Sequence, residues 1–273
     1  MKLTLSILTY SLGLLLYSSA WAWNVSSHEQ EDAMKLTPNL ENGRKIYETC
    51  AICHSPQGWG TPDGRYPQIA GQHASVLIKQ LADIRAGNRD NPTMYPFATN
   101  AHLNAQGIAD VAAYIAQLPM SPMHSMNSMA SMNAMISMGS IGPGFHLERG
   151  KQVYKENCAE CHGDDGAGDA EELYPVLYGQ HYQYMLRQMM WIVSGKRRNA
   201  DATMVKQLRE IDMRDLRAAI DYASRLQPPK EKLAETPDWK NPDFKREFTS
   251  VPALPFRPFQ ALPFQGEMSI GSE

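Results

Sequence analysis

The sequence predicts an all-α protein built as two tandem copies of one helical domain, and three observations carry that prediction. No run alternates apolar and polar residues with the two-residue period of a strand, whereas several place apolar residues three and four apart, as a helix buried on one face requires. The chain also repeats itself at an offset of 108 positions: Pro67 matches Pro175, Gly71-Gln72-His73 matches Gly179-Gln180-His181, Gln80 matches Gln188, and Tyr114 matches Tyr222. Finally, the chain's 4 cysteines all fall in two C-x-x-C-H segments, Cys50 to His54 and Cys158 to His162, at that same offset.

Taken in order, residues 1–22 read as a cleaved secretory signal, with Lys2, an apolar stretch from Leu3 to Tyr17, and Ala20-Trp21-Ala22 as the cleavage site. Residues 24–37 are polar and unpatterned and read as an extended lead-in. The first domain is expected over residues 38–119. Its first helix starts near Asn39 and carries Ile46 and Tyr47 towards the cysteines, and a Pro- and Gly-rich loop from Ser55 to Gly71 follows. A second helix runs from about His73, with Val76, Leu77, Leu81 and Ile84 on one side, and closes at Gly87. The stretch from Asn88 to Leu103 has no periodicity; after it, Asn104 caps a helix presenting Ile108, Val111, Ala112 and Ile115, which ends before Pro119.

The second domain is expected over residues 144–227 and repeats the plan. Gly150 to Tyr154 lead into the second motif, Gly163 to Gly179 form its loop, and a helix runs from about Tyr182 to Ser194. Asp212 and Asp215 resemble a capping pair for a helix presenting Leu216, Ala219, Ile220 and Ala223.

C-x-x-C-H is the attachment signature of a c-type haem. Two thiols three positions apart, about one helical turn, reach the two vinyl groups of one porphyrin, and the next histidine ligates the iron. A thioredoxin-like pair needs no histidine there. A four-cysteine zinc site would need the pairs close together, and structural disulfides would not require the histidine twice. Two covalently bound haem c are therefore expected, on Cys50 and Cys53 and on Cys158 and Cys161, with His54 and His162 as iron ligands. Two cores of this size are marginal alone, so a large apolar cofactor in each makes physical sense.

A sixth iron ligand is expected from methionine. Met94 is the one methionine between His54 and the end of the first domain, and Met204 lies in a matching position in Ala202-Thr203-Met204. Both are expected in irregular loops over the ring face, where a thioether stabilises ferrous iron and raises its potential. Met185, Met189, Met190 and Met213 compete with Met204, but the first three fall at helix-packing spacing and the last in a first helical turn. His73 and His181 are the alternative histidine ligands.

These residues resemble the two-haem periplasmic cytochromes c of the c-four type, built from two class I cytochrome c domains. The resemblance covers about residues 40–227, through both C-x-x-C-H motifs, Pro67 and Pro175, the A-G-Q and Y-G-Q turns, the Q-L helix, and Gly87 and Gly195. It implies that Pro67 and Pro175 offer carbonyls to the haem histidines and that the domains pack with propionate edges facing. It also implies a periplasmic carrier that passes electrons to terminal oxidases or other periplasmic acceptors; the expected partners are a membrane oxidase or reductase, or a periplasmic dehydrogenase. Two departures stand out: Ser55-Pro56 follows His54 where the second domain has Gly163, and the first domain has one residue fewer between tyrosine and first cysteine.

Residues 120–143 form a Met-rich linker in which Met120, Met123, Met126, Met129, Met132, Met135 and Met138 recur every third residue. The preferred reading is a flexible spacer; a soft-ligand string for Cu(I), with His124, is the functional alternative. Residues 228–273 form an irregular Pro- and aromatic-rich tail in which Ala253-Leu254-Pro255-Phe256 recurs as Ala261-Leu262-Pro263-Phe264; self-packing is slightly preferred to docking on a partner. Lys196-Arg197-Arg198 reads as a solvated turn, with orientation of an acidic partner as the alternative.

The formal charge of −3 suggests no nucleic-acid surface. With both axial positions filled, the expected function is electron transfer rather than catalysis. The rivals are a haem subunit of a periplasmic dehydrogenase, and a dihaem peroxidase or sulfur-compound oxidoreductase with one reactive iron. Peripheral association with a membrane is left open.

Overall fold

The computed structural model describes residues 24–99, 103–122 and 145–244. The signal segment, the methionine string beyond Met120 and the A-L-P-F repeats lie outside the described residues. The architecture is all-helical: α1 (Asn24–Lys35), α2 (Leu40–His54), α3 (Ala74–Arg85), α4 (Tyr95–Ala98), α5 (Ala105–Gln117), α6 (Phe145–Asn157), α7 (Ala159–His162), α8 (Tyr182–Val193), α9 (Ala202–Glu210) and α10 (Met213–Ser224). Among the described residues, β-pairing is confined to three isolated bridges.

Each domain is organised on one helix crossing. In the first, α2 packs across α5, and Gly43 is the contact: a Cβ there would stand 2.2 Å from the Asp110 carbonyl oxygen. One turn on, Tyr47 and Tyr114 meet at 5.3 Å between ring centroids. The second domain repeats the crossing between α6 and α10, with Gly150 at 2.1 Å from the Ala218 oxygen and Tyr154 against Tyr222 at 5.4 Å. Glycine lets the backbones touch, and the tyrosines fill the space one turn later. Asn104 caps α5 by accepting from Gly107 N at 2.9 Å, and Asp212 caps α10 by accepting from Arg214 N at 2.8 Å. Asp215 instead pairs with Arg149 across the crossing.

One segment corrects the sequence reading. Residues 24–37 are not an extended lead-in: α1 covers most of them, buries Ala33 in the first core, and pairs Glu29 with Arg85 at 3.2 Å. With so few apolar positions the segment shows no helical stripe, and contacts with α3 and α5 hold it.

The domains face each other across a pseudo-two-fold axis, and the contacts come in pairs at the 108 offset, as an isologous interface requires. The His73 ring Nε2–H donates to Ala167 O, and that of His181 to Trp59 O, both at 2.8 Å. The Gln72 amide donates to Val176 O at 3.1 Å, and that of Gln180 to Gln68 O at 2.8 Å. Asp90 N donates to Lys196 O and Arg198 N to Asn88 O, flanking an antiparallel bridge between Arg89 and Arg197.

Met120 is buried between the domains with Val176 and Tyr178, and so belongs to the packed body rather than to an open string. Its backbone pairs with the segment after α10, through Met120 N to Lys232 O at 2.7 Å and Ala234 N to Met120 O at 2.9 Å. That segment then returns to the first domain. Trp239 lies against Trp59 at 6.0 Å, buried Asn241 donates to Pro56 O at 2.8 Å, and Phe244 meets the edge of Tyr47 at 5.8 Å. Burial pushes the Tyr114 hydroxyl up to about 12, so it keeps its proton and donates to Asp243 at 2.8 Å. The tail up to Phe244 therefore packs on its own chain.

Candidate haem sites

Cys50, Cys53 and His54 occupy the last turn of α2. In the second domain Cys158 stands before α7, which carries Cys161 and His162. Both histidines are buried. The His54 Nδ1–H donates to Pro67 O at 3.0 Å, and the His162 Nδ1–H to Pro175 O at 3.0 Å. A carbonyl can only accept, so Nδ1 holds the proton in each ring and Nε2 is left with its lone pair. Burial holds both imidazoles below the usual histidine range, which keeps them neutral. A fixed tautomer with a free nitrogen is what a metal-ligating histidine needs.

The sulfurs fit attachment better than redox exchange. All four cysteines are free. Burial pushes Cys50 up to about 12 and Cys158 up to about 11. A dithiol redox centre works the other way, with a depressed pKa and a ready thiolate.

A cavity of about 1110 Å³ opens beside the first motif, lined by Cys50, Cys53, His54 and Met94. Leu77, Leu81, Ile84 and Phe97 make its apolar wall, and it runs to the domain boundary, where it meets Gln80, Arg89, Tyr184, Gln188 and Arg197. Arg89 Nε is buried there without a hydrogen-bond partner among the described residues. An apolar slot with two thiols and an imidazole at one side and orphaned cationic nitrogen at another suits a porphyrin, which is an apolar disc with a carboxylate edge. The residues present therefore fit haem c.

The predicted methionines fall on either side of a change in local structure. Met94 is partly buried at the N-cap of α4, facing the cavity. Met204 is not in an irregular loop: it lies in the first turn of α9, whose N-cap Asp201 accepts from Thr203 N at 2.7 Å and Met204 N at 3.1 Å. It packs on the second core, as does Cys158. Of its competitors, Met185 is a core residue, Met189 lines the cavity from α8, and Met213 is exposed at the start of α10. The ring nitrogens Nε2 of His73 and His181 are engaged across the interface, which argues against both as ligands.

Sequence reasoning missed Arg89 and misplaced Arg197. Lys196-Arg197-Arg198 is a turn that is solvated only in part: Arg198 is exposed and donates to Gly87 O, Lys196 lies over Trp191 at 4.6 Å, and Arg197 turns inward to meet Gln80 and Gln188. The available signal was that Arg89 and Arg197 keep the 108 offset.

Comparison with known proteins agrees with this geometry. The family model for cytochrome c matches twice, over residues 40–119 and 147–223. Cytochrome c4 of Pseudomonas aeruginosa is 32% identical over 188 residues, covering 67% of this chain and 87% of that protein. The thiosulfate dehydrogenase electron acceptor of Stutzerimonas stutzeri is 28% identical over 175 residues, covering 61% and 77%. Among solved structures, reduced recombinant cytochrome c4 from Pseudomonas stutzeri superposes with a TM-score of 0.55 at 22% identity, covering 70% of this chain and 100% of that one, a likeness of fold. With two family domains, two attachment motifs and a cavity that fits the porphyrin, the chain belongs to the cytochrome c family, as a c4-like dihaem electron-transfer protein that carries two covalently bound haem c and is not a catalytic enzyme.

Proposed function

We propose that the protein is a periplasmic electron carrier in which His54 and Met94 ligate one iron and His162 and Met204 the other. Cys50 and Cys53, and Cys158 and Cys161, hold the two porphyrins. The haem supplies a one-electron couple when bound. The chain orients each histidine through a proline carbonyl, supplies a thioether that favours the reduced state, and walls each site with apolar side chains. The observation that carries this reading is the matched pair of buried histidines, each with Nδ1 tied to a proline carbonyl at 3.0 Å and Nε2 free. Met94 in the cavity wall beside His54 supports the ligand assignment in the first domain.

Residues 1–22 act as the signal in this reading; the first domain extends back from the expected residue 38 to take in α1, and of the expected linker 120–143 the part beyond the packed Met120 acts as the spacer. No described helix is long and apolar enough to cross a membrane. The redox partner is a membrane oxidase or reductase, or a periplasmic dehydrogenase for which this chain is the electron-accepting partner. The relationship to a protein named as a thiosulfate dehydrogenase electron acceptor favours keeping that second reading.

The test is an optical redox titration of the holoprotein, with carbon monoxide and cyanide challenge. Two high-potential, low-spin haems that resist both ligands, with a thioether-to-ferric band in the near infrared, are expected. One low-potential haem that readily takes up ligand would overturn the assignment and turn attention to peroxide and sulfur substrates.

A further inference from the structure

Two arginines meet at the domain boundary with no ion-pair partner among the described residues, although Arg89 also donates to Tyr184 Oη at 2.9 Å, Arg197 to Asn199 Oδ1 at 3.2 Å, and the buried Asp83 carboxylate acts on Arg197 from nearby. Arg89 is buried, Arg197 is partly buried, and their backbones pair in one antiparallel bridge. Both guanidinium groups close on the same two glutamine oxygens. Arg89 donates to Gln80 Oε1 at 3.0 Å and to Gln188 Oε1 at 2.9 Å, while Arg197 donates to Gln188 Oε1 at 3.1 Å and to Gln80 Oε1 at 3.2 Å. Those acceptors are neutral. Among the described residues neither arginine forms an ion pair, and Arg89 Nε is buried without a partner.

Two like charges held side by side, with Arg89 out of water, favour an anion between them, because a buried charge is stable only when paired. The guanidinium fork is shaped for carboxylate. Both arginines line the cavity that contains Cys50, His54 and Met94. The crossed pattern matters as much as the charge. Each arginine touches the glutamine of its own domain and that of the other, so neither belongs to one site alone.

We propose that Arg89 and Arg197 form one shared cationic centre that binds the carboxylate edges of both haems, so that each arginine sets the potential of both irons. This rests on the haem assignment above. Positive charge near an iron favours its ferrous state, so the centre raises both potentials. Arg89 and Arg197 are positioning and tuning residues here; they touch no iron.

The experiment is a two-wave potentiometric titration of the full-length holoprotein, with R89Q, R197Q and R89K. Each glutamine variant is expected to move both waves down, each by roughly a tenfold change in the reduction equilibrium, or about 59 mV for a one-electron couple. R89K, which keeps the charge, should restore most of the shift. Arg197 is the more exposed of the two, so R197Q provides the reading if R89Q folds poorly. A shift confined to one wave, or no shift, would overturn the shared centre. So would inorganic phosphate moving the wild-type potentials but not those of R197Q, which would make a free anion the occupant. Covalent haem content and the near-infrared band are read on the same samples. If both are intact while the waves do not move together, the arginine assignment fails alone; if wild type lacks them, the haem assignment fails.

Discussion

The two domains reach the same site geometry by different backbone paths. In the first, α2 runs unbroken through Cys50, Cys53 and His54. In the second, one extra residue lies between Tyr154 and Cys158, and the helix breaks at Cys158, which has φ −124°, before α7 restarts. The cause is rotational: one residue turns a helix by about 100°. An unbroken α6 could keep Tyr154 on Tyr222, or Cys158 beside its porphyrin, but not both. What stays constant is the histidine, buried and tied to proline in both domains. A second contrast follows directly. The residue after the motif has φ 66° and ψ 157° at Ser55, and φ 78° and ψ 155° at Gly163, with its carbonyl accepting from Tyr47 or Tyr154 at 2.7 Å. That region of the backbone is nearly exclusive to glycine. The first domain adopts it with a serine, so site geometry overrides local preference.

The largest effect should come from removing one thioether at a time. M94A is expected to abolish the near-infrared band and the high potential of one haem, and M204A those of the other, each leaving its neighbour's spectrum intact. Parallel outcomes would make the domains equivalent despite the different settings of Met94 at a cap and Met204 inside α9. If M204A leaves the band unchanged, Met189 on α8 becomes the ligand to test.

The helix crossings come next. G43A and G150A would each drive a methyl group into backbone, at 2.2 Å and 2.1 Å respectively. Each should cost about 2 kcal/mol of stability in guanidinium unfolding. Near-equal losses would say that the crossing is the same structural unit in both domains. A distinctly smaller loss for G43A would say that Asp243 and Phe244, which meet Tyr114 and Tyr47 at the first crossing, buffer it.

The end of the described tail is the third contrast, since Trp239 to Phe244 pack on the first domain while Lys232 and Leu233 lie against Tyr178 of the second. W239A removes the ring against Trp59, and because Trp239 is only half-buried the loss should be about 2 kcal/mol, below that of a core tryptophan. The loss should appear in the unfolding of the first domain, read from its haem spectrum, and leave the second unmoved. A loss shared by both would make the segment a brace for the interface. Smaller still, S55G should stabilise the first domain by about 1 kcal/mol by relieving the left-handed serine, partly offset by losing the bond from Trp59 N to Ser55 Oγ. G163S should destabilise the second domain by a similar amount. If S55G is neutral, the serine's hydrogen bond fully offsets its strain.

Much of this was legible in the sequence, for identifiable reasons. The attachment motifs, Asn104 and the 108 offset are local signals, and each maps to one structural consequence. The same holds for the serine at position 55, flagged by comparing the two copies. The helical state of residues 24–35 was not legible because it depends on packing rather than on an apolar stripe. Met204 was read as a loop residue because Asp201 as N-cap, with an apolar residue only at intervals after it, is a weak signal without its partner core. Arg197 looked solvated because charge runs usually are, and its burial arises from a second domain folding onto it.

The smallest expected effect is a pH dependence carried by one side of the interface. His181 is buried, and burial holds its imidazole below the usual histidine range, against the opposing pull of the Trp59 carbonyl it donates to. His54 and His162 share the direction, but under the proposed iron ligation they do not titrate freely. For His181 the folded pKa lies below the unfolded one, about 6.5. Above that value neither state binds the proton, and its contribution to stability is fully present. As pH falls below it the unfolded chain takes up a proton that the folded chain refuses, so stability declines until the folded pKa is reached and then levels off. H181Q retains an amide donor for Trp59 O and has no such titration, so its stability should be flatter than wild type in this window. An unchanged slope in H181Q would place the titrating group elsewhere, and the interface would then contribute equally to stability on either side of the histidine range.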